Sequence, residues 1–185
     1  MMHFPGGDGP LETKFRRFDG ELALKDGAEI AGYASLFGAA DQGGDVVQAG
    51  AYGASLRRLS KAGSGVKMLW QHDPSRPIGV WDEVREDGKG LFVRGRLLLE
   101  VQAAREAHVL LQAGAIDGLS IGYRTIRAEK SAAGQRLLHE IELWEVSLVT
   151  FPMLPQARVQ ATDPEEADLA RTLAETFREA RQMLA

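Results

Sequence analysis

The sequence predicts a strand-rich α+β domain with a few helices, and three observations predict it. Segments with alternating apolar residues recur along the chain, the longest running from Gln135 to Thr150. Turn-forming punctuation separates them, as at Asp19-Gly20 and Asp26-Gly27. Helical periodicity is confined to stretches near 50–62, 100–113 and 164–184.

Composition narrows the class. A chain of 185 residues is long enough for one domain whose single core buries roughly 70 % of the unfolded surface. With 44 % hydrophobic and 26 % charged residues, it reads as a globular protein. The net charge of −4 and the lack of a basic run do not indicate a nucleic-acid surface. There is no cysteine, which excludes disulfides, thiolate zinc sites and cysteine nucleophiles. No apolar run approaches the 18 or so residues of a membrane span, and no signal-peptide core opens the chain. The expectation is a cytoplasmic protein without cofactor or bound metal, with neither nucleic acid nor membrane as partner.

Taken in order, residues 1–11 are Gly/Pro-rich and are expected to be disordered; His3 there carries nothing. Lys14–Phe18, Glu21–Leu24 and Ile30–Phe37 read as strands, and 38–50 as a loop. The short helix that follows puts Tyr52, Leu56 and Leu59 on one side and stops near Gly63-Ser-Gly65. Val66–Pro74 reads as a strand that carries His72 at its end, with Asp73-Pro74 breaking the ladder. Ile78–Val84 and Gly90–Leu99 form a hairpin around 86–89. The helix over 100–113 buries Ala104, Ala107, His108 and Leu111 and closes at Gly114. Phe151–Pro155 ends the long strand, so the compact domain is expected over 12–160. From Asp163 an acceptor, Pro164 and paired glutamates open an amphipathic C-terminal helix within 161–185.

The stretch Asp117-Gly-Leu-Ser-Ile-Gly-Tyr-Arg124 stands out. Alternation puts Leu119, Ile121 and Tyr123 on one face, and Ser120, Gly122 and Arg124 on the other. Glycine inside a strand weakens it and often marks a close approach of ligand or backbone. Ser120 is therefore either a nucleophile serving an extended peptide or one polar residue of an ordinary amphipathic edge strand. His72, where its strand turns away, either reaches a cleft or bonds into its loop. On the long strand, alternation puts His139, Ile141, Leu143, Glu145, Ser147 and Val149 on one face. Glu145 is then a carboxylate in a mostly apolar row, which is costly unless paired. A hydroxyl needs a base to take its proton, and the base needs an acceptor on its other ring nitrogen. His72, Ser120 and Glu145 supply those types in that chain order.

Five collinear stretches carry a resemblance: Gly32-Tyr-Ala-Ser-Leu-Phe37, Leu69-Trp-Gln-His-Asp73, Pro77-Ile-Gly79, Gly118-Leu-Ser-Ile-Gly-Tyr123 and Glu145-Val-Ser-Leu-Val-Thr-Phe-Pro152. Together they resemble the HK97-type prohead (capsid maturation) serine proteases of tailed phages, themselves distantly similar to herpesvirus assemblins. The resemblance spans about residues 29 to 158. It implies a small, mostly antiparallel β-barrel surrounded by a few helices. It also implies a serine endopeptidase inside the assembling procapsid, in the host cytoplasm, cutting the scaffolding segment from the major capsid protein and then itself. The partners it implies are that capsid protein and a second copy of the enzyme.

Carried onto this chain, the resemblance makes Ser120 the nucleophile, His72 the general base and Glu145 the third member. The assemblins use a second histidine in that last role, which brings in His139. On one unbroken strand His139 and Glu145 lie about 20 Å apart at roughly 3.3 Å per residue, so one imidazole cannot touch both. Glu145 is preferred because it lies inside the matching stretch. Ser147 is the rival nucleophile, without flanking glycines. Arg124 and the backbone near 118–121 are candidates for stabilising an oxyanion. The alternatives are a capsid-binding assembly factor without chemistry and a metallohydrolase on His139, Glu140 and Glu142. The spacing of that last set fits no His-Glu-x-x-His helix.

Overall fold

A computed structural model describes residues 28–160. In chain order the elements are β1 (Glu29–Leu36), β2 (Asp45–Val47), α1 (Gly53–Lys61), β3 (Lys67–Trp70), β4 (Asp73–Glu86), β5 (Gly90–Leu97), α2 (Gln102–Gln112), β6 (Gly118–Lys130), β7 (Arg136–Val149) and β8 (Val159–Gln160). The strands predicted over 14–18 and 21–24, the disordered 1–11 and the C-terminal helix lie outside the described residues.

β7 is the spine of a mixed sheet. β6 runs antiparallel along one edge from Gly118 opposite Val149 to Lys130 opposite Arg136. Two strands share the other edge, both parallel: β2 along Arg136–Leu138 and β3 along Glu145–Leu148. α1 lies in the connection that carries the chain along this edge from β2 to β3. The gap between them leaves β7 amides in need of acceptors. Ile141 N–H donates to the Ala51 carbonyl at 3.1 Å, and Leu143 N–H to the buried Ser55 hydroxyl at 2.9 Å. The helix N-terminus thus closes the ladder where no strand does.

From β3 the sheet continues antiparallel through β4, β5 and β1 to β8. The segment before β8 laces the far side back to β6: Leu119 N–H donates to the Ala157 carbonyl at 2.9 Å, and Val159 N–H to that of Asp117 at 2.8 Å. The result is a half-barrel carrying two helices among the described residues. Five of the seven strand pairings among the described residues are antiparallel, as the resemblance implied. The two at β7 are parallel, and the sheet is a half-barrel instead of the barrel surrounded by helices. β2, inside the predicted loop 38–50, and β8, beyond the predicted end of the strands, form because their backbones pair with distant strands; neither shows a strand pattern of its own.

The core is formed by one face of the sheet, with Ile30, Ile78, Leu91, Val93, Leu119, Leu138, Ile141, Leu143, Val146 and Leu148, capped by Ala104, Ala107 and Leu111 of α2. α2 ends as predicted, with Gly114 at φ +66.

The predicted alternation along β7 fails at two places. His139 is skipped between Glu140 and Leu138, so that Leu138 and not His139 joins the core. The second place bears on the site. Gly122 opposes Glu145 and Tyr123 opposes Leu143, so Trp144 is an extra residue, a β-bulge, and is exposed. One extra residue resets a period of two. Val146 and Leu148, not Glu145 and Ser147, continue the core row of Ile141 and Leu143. The carboxylate therefore leaves the apolar row and shares the opposite face with Ser147 and, across the ladder, Gly122 and Ser120.

Candidate active site

β3 and β4 are joined by Gln71 and His72, the two central residues of a tight hairpin in which Trp70 pairs with Asp73. This corrects the predicted break at Asp73-Pro74: the ladder resumes at Asp73. Both turn residues have positive φ, +53 at Gln71 and +61 at His72. A two-residue hairpin turn of this hand asks for that conformation at both positions and favours Asn or Gly. Two ordinary residues instead cost roughly 1–2 kcal/mol each, so the surroundings must hold them. The end of β7 does so. Gln71 N–H donates to the Leu148 carbonyl at 2.9 Å, and the Gln71 amide exchanges hydrogen bonds with Thr150, donating to Oγ1 at 2.9 Å and accepting from its N–H at 3.3 Å.

So held, the His72 ring lies against the opposite face of β7. Its Nδ1 is 2.5 Å from Glu145 Oε1. An ionised carboxylate only accepts, so Nδ1 carries the proton and Nε2 is free to accept one. The imidazole side chain is 41 % exposed and the carboxylate side chain 10 %. Glu145 therefore sits beneath a ring whose other edge is open. The hydrogen bond to Glu145, with the attraction of its charge, raises the His72 pKa above the ordinary imidazole value, and partial burial opposes this. Glu145 Oε2 accepts from the Ser147 hydroxyl at 2.6 Å, and the same Ser147 Oγ accepts from His72 N–H at 3.1 Å.

Ser120 stands directly across the ladder from Ser147, on the same face. Opposed side chains in such a pair have Cβ atoms about 4.5–5.5 Å apart. Ser120 Oγ makes no hydrogen bond among the described residues, and the residue is 4 % exposed. A cleft of about 30 Å³ adjoins it, reaching Ala34, Asp41, Tyr123 and Met153. Two residues along, Gly122 opposes Glu145. A Cβ there would stand 2.8 Å from Glu145 Cδ and 2.9 Å from Cγ, so the carboxylate occupies the space a side chain would take.

The other sequence candidates lie elsewhere. His139 is six residues back along β7, its Nε2 2.9 Å from Glu129 Oε1 but without hydrogen-bond alignment. Arg124 does not approach Ser120: its guanidinium lies 2.5 Å from Glu142, which Arg58 holds at 2.6 Å from the other side. His108 is half-buried on α2. Sequence reasoning brought Ser147 forward only as a rival nucleophile and missed what it touches. The signal was present: Glu145-x-Ser147 puts the hydroxyl on the carboxylate's own face, one period away.

Residues 16–172 match the model of the family described as Caudovirus prohead serine protease. The chain is similar to the prohead protease of Enterobacteria phage HK97, 33 % identical over 133 residues, 70 % of this chain and 58 % of that protein. It thus spans less than two thirds of that relative's length. Among solved structures it resembles the bacteriophage T4 capsid assembly protease, with TM-score 0.55 and 13 % identity over 68 % of this chain and 84 % of the other. The varicella-zoster virus protease superposes more loosely, with TM-score 0.44 and 15 % identity over 76 % of this chain and 67 % of that one.

Proposed function

We propose, for a chain that belongs to the Caudovirus prohead serine protease family, that it is an endopeptidase in which Ser120 is the nucleophile, His72 the general base and Glu145 the residue that orients the base. The observation that carries the reading is the contact of His72 Nδ1 with Glu145 Oε1 at 2.5 Å, on the sheet face that also bears Ser120. Glu145 fixes the tautomer that leaves Nε2 as acceptor. As Ser120 Oγ attacks the scissile carbonyl, its proton passes to Nε2, and the Glu145 charge stabilises the imidazolium. The same proton then goes to the leaving amine as the peptide bond breaks. Water, deprotonated by the imidazole, releases the acyl group and restores the serine.

The family description and the names of the relatives support a capsid-related substrate. The substrate proposed here is the scaffolding segment of the major capsid protein, cut inside the procapsid, with self-processing and dimerisation as further expectations. We place the protease domain at about 12–160, followed by the amphipathic sequence 161–185; the family match over 16–172 reaches into that second stretch.

The test is co-expression with the major capsid protein of the same particle, followed by intact-mass measurement, for the parent and for Ser120→Ala. The parent shortens the capsid protein and Ser120→Ala leaves it whole; a fluorophosphonate labels the parent at Ser120. Continued cleavage by Ser120→Ala would refute the assignment. Capsid binding without cleavage by the parent would favour an assembly factor.

A further inference from the structure

We propose that Ser147 is a positioning residue, one hydroxyl that sets both the Glu145 carboxylate and the His72 backbone. The proposal rests on the assignment of Ser120, His72 and Glu145 made above.

A hydroxyl has one proton to donate and two lone pairs. Ser147 gives its proton to Glu145 Oε2 at 2.6 Å and offers a lone pair to His72 N–H at 3.1 Å. Its side chain is fully buried, at 0 % exposure, so no solvent competes for either bond. A proton committed to a carboxylate and a site closed to solvent are the wrong conditions for a nucleophile. They are the right ones for a brace.

Two degrees of freedom need bracing. Glu145 has a long side chain, and its carboxylate must present Oε1 to the imidazole. Anchoring Oε2 fixes the plane that allows this, and holding rotatable groups in advance is what intramolecular geometry contributes to rate. His72 sits in a left-handed conformation that side chains avoid, and its N–H bond to Ser147 adds to the hold from Leu148 and Thr150 on its neighbour. Because one atom makes both bonds, the base and its orienting carboxylate are positioned relative to each other.

The test uses the full chain and a fluorophosphonate as probe, comparing Ser147→Ala, Ser120→Ala and the parent. In Ser147→Ala the maximal inactivation rate falls about tenfold or more, while the probe's half-saturating concentration is unchanged. The acid limb of the rate moves to lower pH, because Glu145 is the charged group that raises His72 and its grip is loosened. A folded Ser147→Ala with parental rate and acid limb overturns the proposal and leaves the Ser120 assignment intact. Labelling that survives in Ser120→Ala but vanishes in Ser147→Ala overturns both, with Ser147 as nucleophile. Labelling at neither serine in the parent sinks the protease reading itself. Should Ser147→Ala fail to fold, amide exchange in the parent decides: a slowly exchanging His72 N–H supports the brace, and exchange at the rate of an open turn overturns it.

Discussion

Two buried carboxylates, alike in burial, show how partners divide structure from chemistry. Asp45 on β2 is 9 % exposed and Glu145 on β7 is 8 % exposed. Asp45 takes a fork from Arg136, Nε to Oδ1 at 2.7 Å and Nη2 to Oδ2, and a hydrogen bond from Tyr123 Oη at 2.8 Å. The Arg136 guanidinium holds the Asp45 carboxyl below the usual range, with help from Tyr123 and against its burial. Burial and the Asp45 charge in turn push the Tyr123 phenol well above its ordinary value. No member of that cluster changes charge near neutrality. Glu145 has instead an imidazole and a serine hydroxyl. Its cationic partner exists only when His72 is protonated, so the pair can accept and return a proton within the working pH range. A permanent cation makes a clasp; a titratable one makes a site for chemistry.

The largest effect that would break this comparison is at Glu145, the carboxylate proposed to orient His72. Glu145→Gln should lower the cleavage rate by about 10³–10⁴-fold with little loss of folded protein, and a capsid-cleavage time course reads it. If His72 is the base, as proposed, the parent's acid limb should lie above about pH 6.5, since the raised imidazole must be neutral to accept a proton. In Glu145→Gln that limb should fall back towards the ordinary value.

Next is Gly122→Ala, which needs no change to any reacting group. The new methyl would occupy the place of the Glu145 side chain and displace it. A shift of about 1 Å at a catalytic group costs on the order of 10²-fold, and circular dichroism should show the fold unchanged. Parental activity in this variant would mean that the placement of Glu145 does not matter.

At the clasp, Asp45→Asn should leave activity per folded molecule unchanged. Its stability should fall by about 1–3 kcal/mol by denaturant titration, a range discounted because the Arg136 side chain is half exposed.

The smallest effects are in stability against pH, where the two sites have opposite signs. Asp45 has a depressed folded pKa. Its contribution is therefore present above about pH 4, and is lost as pH falls through the folded value. His72 has a raised folded pKa. Its contribution is complete below about pH 6.5, and is lost as pH rises through the folded value. Thermal melts across pH should lose the acid-side slope in Asp45→Asn and the alkaline-side slope in Glu145→Gln. The reverse assignment would mean that the partners have been misread.

Much of this was legible beforehand. Both internal helices, the hairpin of β4 and β5, the faces of β6 and the extent of β7 follow from apolar spacing and from glycines at turns. The three residues assigned to catalysis were named through five collinear stretches that resemble one family, not through any one pattern. What stayed hidden was the bulge at Trp144, which moves Glu145 from the core row to the face of Ser120, because a single extra residue leaves a plausible alternation on either reading.

By itself, then, the sequence determined the residue types and the local periods: which segments extend, where they turn, and which serine has room beside it. The parallel pairing of β2 and β3 with β7, the left-handed turn at Gln71-His72 and the hydrogen bonds of Ser147 to Glu145 and the His72 backbone were decided by tertiary structure. The physical reason is range. Propensity and alternation act over a few residues, whereas the His72–Glu145 contact joins positions 73 residues apart, and it exists because the folded sheet holds their backbones together.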